Sequence, residues 1–290
     1  MKDQADIIEE KPRHSIITNG FLFILFIGSS FLVFNVGGYN NFIPSDLILI
    51  TRISVVGLLF LTTFILHRSE RLNKYWKTSF SLLIVSIGLL LAWIFGRWYA
   101  LIPGLSTNTV EGAAVAKFAE VLPIVVAIIV GVWLLERNFI PIFLQGGNIR
   151  KGLKMGLLAS PAALFPFIAL GGLGFSASLG EVISWMPWIC LFSFSNACME
   201  ELMIRGLFLR EYNSLIGKRQ SLILTSIIFA LFHQAIIGFP DILTILVYFS
   251  IPLTLGLLWG YVIQESDNIW GAVLAHMIAD IFFVLAMFGV

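Results

Sequence analysis

Only two cysteines occur in 290 residues, and both fall in one apolar run, Cys190 and Cys198. A disulfide framework, which belongs to small secreted domains, is therefore excluded, and the pair reads as reduced packing residues. Charge is equally scarce. Asp, Glu, Lys and Arg make up 12% of the chain, against roughly 25% in a soluble domain. The net charge of +1 offers no basic surface for nucleic acid. A cleavable signal is not expected: Met1 to Arg13 is polar, and no small-residue cleavage site follows the first apolar run. Low-complexity tracts, internal repeats and a long soluble domain are absent too.

What the chain has is hydrophobicity, 58% of residues with a mean hydropathy of +0.94. A helix needs about 20 apolar residues to cross the bilayer core. Nine candidate spans meet that requirement: 16–37, 46–66, 79–98, 115–135, 152–173, 182–209, 219–238, 241–264 and 268–289. The expectation is an all-α, polytopic integral membrane bundle of eight or nine transmembrane helices, eight if one short segment lies in the interface. Turn residues or charge mark the breaks, among them Gly146-Gly147, Gly217-Lys218 and Phe239-Pro240. Basic residues set the orientation. Lys2, Lys11 and Arg13 precede the first span. Arg68, Arg71, Lys74 and Lys77 follow the second, Arg137, Arg150, Lys151 and Lys154 the fourth, and Arg205, Arg210, Lys218 and Arg219 close or follow the sixth. The N-terminus is thus expected on the cytoplasmic side; the expected setting is a prokaryotic plasma membrane. Only Arg52, Arg97 and Lys117 break the pattern. Arg52 and Glu120 fall towards the outer ends of their helices and are expected to form a structural ion pair or to snorkel. Gly256 and Gly260 form a small-xxx-small pair for close helix packing. Trp93, Trp98, Tyr99, Trp133, Trp185, Trp188 and Trp270 read as an interfacial aromatic belt.

Against this background one stretch stands out. Glu200, Glu201 and Arg205 follow a long uncharged approach. Ionisable groups at membrane depth are costly and point to function. On an α-helix Glu201 and Arg205 share a face and can pair. Glu200 is rotated by about 100° and needs partners from elsewhere. Two further spans carry the intramembrane histidines, His233 after Phe229, and His276 four residues before Asp280. The other two histidines, His14 and His67, lie in polar flanks. At 1.5 Å per residue, Glu200 lies roughly 15–20 Å, His233 about 20 Å and His276 about 12 Å from the inner ends of their helices. All three then fall between the inner face and the midplane, where they can satisfy one another in one polar pocket. A desolvated carboxylate beside a histidine is suited to activating water. Two imidazoles with carboxylates could equally hold zinc or iron, although no HExxH pair is present.

Taken together, Glu200-Glu201-x-x-x-Arg205, Phe229-x-x-x-His233 and His276-x-x-x-Asp280, with Gly206-Leu207 and the lead-in Asn268-Ile269-Trp270-Gly271, resemble the three-motif pattern of the CPBP (Abi) family, which includes the type II CAAX prenyl endopeptidases. The resemblance covers about 182–283. It divides the chain into N-terminal helices of unassigned role, 1–150, and a catalytic membrane core, 151–290. It implies an intramembrane endopeptidase acting on a peptide or membrane-protein substrate, lipidated or not. In that reading Glu200, His233, His276 and Asp280 are catalytic. Glu200 activates the water with His233, and His276 and Asp280 stabilise the oxyanion or the water. Glu201, Arg205 and Phe229 are structural or substrate-orienting. No metal cofactor is favoured; were zinc bound, Glu200, His233, His276 and Asp280 would be its ligands. One position departs from the CAAX endopeptidases, which commonly carry Asn where this chain has Asp280. An ionised Asp280 would repel an oxyanion, so it is protonated, tied to a cation, or orienting His276. A non-proteolytic scaffold or immunity-type membrane protein, and an ion-coupled transporter, are the alternatives.

Overall fold

The computed structural model describes residues 16–39, 43–237 and 241–289. Lys2, Lys11, Arg13, His14 and the Phe239-Pro240 break lie outside the described residues. Among those described there is no strand, and the chain is a polytopic all-α membrane protein. Its helices are α1 (Ile16–Phe31), α2 (Ile48–Arg68), α3 (Trp76–Phe95), α4 (Val110–Glu136), α5 (Ile149–Ala159), α6 (Leu164–Ala169), α7 (Leu179–Glu200), α8 (Leu207–Ile216), α9 (Lys218–Ile237), α10 (Ile242–Ser266) and α11 (Trp270–Gly289).

Eight segments of the described residues are long and apolar enough to cross a membrane. The stretch expected as a span over 219–238 is helical, as α9, but is not one of the eight; residue 238 lies outside the described residues. Helix α9 packs against α1, α8 and α10. Its Ser221, Thr225 and Ser226 are fully buried, so its polar groups face protein and not lipid. Their hydroxyls donate back to carbonyls one turn earlier, Thr225 to Ser221 and Ser226 to Leu222. The expected span over 152–173 is interrupted: α5 and α6 are separated by a single 3₁₀ turn, Ser160–Ala163, that holds Pro161.

Helix packing in lipid relies on close approach, because hydrocarbon is as apolar as leucine. Helices α5 and α11 cross through glycines. A Cβ on Gly156 would lie 2.1 Å from the Gly271 carbonyl oxygen, and one on Gly271 would lie 2.1 Å from that of Gly152. The backbones therefore touch, and no larger residue fits either side. The expected Gly256–Gly260 contact forms on α10 against α9, where a Cβ on Gly256 would meet Ser226 at 3.2 Å and one on Gly260 would meet Leu222 at 2.6 Å. A single apolar core runs through most of the bundle, from Leu22 on α1 to Ala279 on α11.

Two helices are widened by a π turn. Leu32–Val36 closes α1, and Glu201–Gly206 joins α7 to α8. In each, a backbone N–H reaches five residues back, from Gly37 to Leu32 and from Leu207 to Leu202. The regular α-helix expected through Arg205 thus ends at Glu200. Single π turns inside long helices occur frequently at functional sites.

Candidate active site

The π turn carries the charged motif into the protein interior. The side chains of Glu201 and Arg205 are both fully buried and are joined by a bond of 2.8 Å from Arg205 Nη1 to Glu201 Oε1. The expected Glu201–Arg205 pair is present, because four residues of the wider turn still return to nearly the same face. Room for the guanidinium comes from Gly256, where a Cβ would lie 2.9 Å from Arg205 Nη2. Its flat face covers the Phe229 ring, with Cζ 4.1 Å from the centroid.

Glu201 holds more than the arginine. Its Oε1 also accepts from His276 Nδ1 at 2.9 Å. With the carboxylate ion-paired to Arg205, the histidine is the donor, and this fixes the imidazole with Nε2 turned away from Glu201. Nε2 of His276 lies 3.6 Å from Glu200 Oε2 and 3.7 Å from Asp280 Oδ1. Trp259 lies flat against the other side of the ring, with centroids 4.0 Å apart and planes inclined by 18°.

A second histidine is oriented in the same way by a different acceptor. His233 Nδ1 sits 3.0 Å from the Phe229 carbonyl, which can only accept. Nδ1 therefore carries a proton, and Nε2 faces Glu200 Oε2 at 3.8 Å. Phe229 also touches His233 edge-on at 4.4 Å, and Trp259 and His276 at 5.8 Å each. One aromatic ring thus keeps Arg205 and both imidazoles in register.

Glu200 is the group at the centre. It is buried, and its Oε2 makes no hydrogen bond. A buried carboxylate oxygen with no partner is costly. Here it faces two imidazole nitrogens at separations that one small polar molecule would bridge. Asn196, one turn before Glu200 on α7, donates to Asp280 Oδ2 at 3.0 Å. Lys117 on α4 lies within electrostatic reach of Glu200 and Asp280.

Residues far apart in the chain thus converge. Glu200, Glu201, Arg205, Phe229, His233, His276 and Asp280 form one constellation, and Asn196, Trp259 and Gly256 complete it. Asn196, four residues before Glu200, was not singled out from the sequence. Trp259, like Trp76, is a tryptophan outside the aromatic belt. No group of three or more His, Cys, Asp or Glu side chains among the described residues has metal-holding geometry. The expected Arg52–Glu120 ion pair is replaced by other contacts. Arg52 donates to the Gly38 and Leu89 carbonyls, while Glu120 accepts from Lys117 at 2.8 Å and from Tyr39.

Fold and site together define a membrane-embedded helical protein with a buried carboxylate–imidazole centre. Residues 182–282, about a third of the chain, match the family model described as "Type II CAAX prenyl endopeptidase Rce1-like", and this stretch is similar to that family. No curated protein and no solved structure matches the chain.

Proposed function

We propose that the protein is an intramembrane endopeptidase that hydrolyses a peptide bond with a water activated by Glu200 and His233, without a resident metal. The observation that carries this reading is the buried, unpartnered Oε2 of Glu200 facing Nε2 of His233 and of His276 at 3.8 and 3.6 Å. A water held there would donate one proton to Glu200 and a second hydrogen bond to the His233 Nε2 lone pair. Its oxygen attacks the peptide carbonyl carbon as its proton passes to Glu200. His276, already donating through Nδ1, donates through Nε2 to the developing oxyanion as an imidazolium. On collapse, the Glu200 proton moves to the leaving amine nitrogen. The products are a carboxylic acid, which gives up its remaining proton to the released amine or to water, and that amine.

Asp280 orients in this scheme. The Asn196 amide ties up its Oδ2, and its Oδ1 faces His276, where a negative charge favours the imidazolium. That answers the difficulty raised by an Asp in place of Asn. The substrate class we propose is a peptide or membrane protein, and the setting a prokaryotic plasma membrane, since prokaryotic members of the wider family often carry Asp or Asn at this position.

The test uses detergent-purified wild type beside Glu200→Gln on a quenched-fluorescence peptide library, with and without a strong chelator. Glu200→Gln is expected to lower the rate by about 10²–10⁴-fold, the range for a general base, at unchanged thermal stability, and chelator is expected to leave the wild type untouched. Full activity of Glu200→Gln would refute the base. Chelator-sensitive cleavage with stoichiometric zinc would refute the metal-free chemistry and make His233, His276 and a carboxylate the ligands.

A further inference from the structure

The three basic residues that break the charge pattern, Arg52, Arg97 and Lys117, all line one cavity between α2, α3 and α4, of about 370 Å³. Its floor is the Tyr39–Glu120–Lys117 network, and Glu200 and the two site histidines are not part of its wall. Glu120 is its only carboxylate, and that charge is already taken by Lys117. Arg97 forms no ion pair or hydrogen bond among the described residues. Arg52 donates only to two neutral backbone carbonyls, and its Nε is buried without a partner. Two guanidinium groups and the Lys117 ammonium therefore share one cavity with a single carboxylate, Glu120, beneath Trp93 at the end of the bundle. Uncompensated like charges at the edge of the apolar zone are expensive. An anion entering the cavity would relieve them.

We propose that this cavity binds the phosphodiester headgroup of an anionic membrane lipid. Arg97, at the mouth, and Arg52, deeper in, would grip the phosphate through charge-assisted hydrogen bonds. Several features favour a lipid. The cavity opens at the end of the bundle, where headgroups lie. Trp93 and the neighbouring Trp98 and Tyr99 form an aromatic belt of the kind found at that depth. The volume exceeds that of a bare phosphate and suits phosphate with its glycerol; one water occupies about 30 Å³ of liquid.

The experiment measures thermal unfolding of the full chain in neutral detergent with added phosphatidylglycerol, phosphatidylcholine or inorganic phosphate, and counts retained lipid by native mass spectrometry. The expected result is one phosphatidylglycerol per chain and an upward Tm shift with that lipid alone. Arg97→Gln, at an exposed and unpaired position, should weaken the lipid effect about tenfold, the worth of one hydrogen bond to a charged group. Lys117→Gln should weaken it in the same direction, and Arg97→Lys should keep part of it. Equal shifts with both lipids, or an unchanged phosphatidylglycerol effect in Arg97→Gln, would overturn the site. Stabilisation by inorganic phosphate, or by a short peptide with a free carboxylate, as strong as that by phosphatidylglycerol would overturn its assignment to a lipid.

Discussion

Arg205 shows how much of the site depends on one desolvated pair. Neither it nor Glu201 touches solvent, and Arg205 Nε, Arg205 Nη2 and Glu201 Oε2 all lack partners. A buried pair of this kind contributes little net stability, but breaking it strands a charge at a cost of about 3–5 kcal/mol. Arg205→Met and Glu201→Gln alone should therefore each lower Tm strongly in detergent. The double variant should be less destabilised than the sum of the two. Strict additivity would mean that the pair is not coupled. The double variant should still lose cleavage, because His276 Nδ1 then has no carboxylate to orient it. Gly256→Ala tests the same charge from the opposite helix: a methyl 2.9 Å from Nη2 must displace the guanidinium, and overpacking of this kind costs about 1–3 kcal/mol. A Gly256→Ala protein as stable as the wild type would show that Arg205 can move aside.

Among the elements, the π turn Glu201–Gly206 does the most to set the geometry. It is the step at which α7 hands over to α8, and it aims Glu200 and Glu201 at different partners, the first at the two Nε2 atoms and the second at Arg205 and His276 Nδ1. Deleting Met203 would let the stretch close as a regular α-helix. Helical content by circular dichroism should then be retained while cleavage falls below detection; cleavage at the wild-type rate would show the wide turn to be dispensable. This turn also marks where sequence reading stops. Apolar length and charge placement are one-dimensional signals, so the spans, the three motifs and the Glu201–Arg205 pair were legible. An inserted residue in a helix has no composition of its own, and only the contacts made by Glu201 and Arg205 reveal it. Asn196 and Trp259 were hidden for related reasons. An asparagine beside two glutamates draws little notice, and a tryptophan in an apolar run looks like lipid-facing bulk until a histidine is seen stacked on it. Arg52 misled in the opposite sense, since its partners are backbone carbonyls that no residue pattern can announce.

For the molecule as a whole, the family match covers 182–282, yet the earlier helices reach the same centre. Asn35, in the π turn after α1, donates to the Leu231 carbonyl at 3.2 Å, and Phe34 meets Phe232 edge-on at 5.7 Å, both beside His233. Helix α4 brings Lys117. A chain cut between Gln145 and Gly146 should therefore yield two fragments that co-purify and cleave together. The fragment 146–290 alone should be inactive, and full activity of that fragment would show the first half to be unnecessary for catalysis.

The crossing of α5 and α11 has a mechanical side. With backbone against backbone at Gly152, Gly156 and Gly271, nothing can slide or compress there, and the contact acts as a fulcrum. His276 stands five residues beyond it, a lever arm of about 7.5 Å at the helical rise, so a tilt of α11 by ~5° would swing the imidazole by about 0.7 Å. A displacement of that order is enough to change rates by about 10²-fold when reacting groups must meet. Tilting α11, by membrane thickness or by an arriving substrate, would gear a small rotation into an on or off position of the histidine.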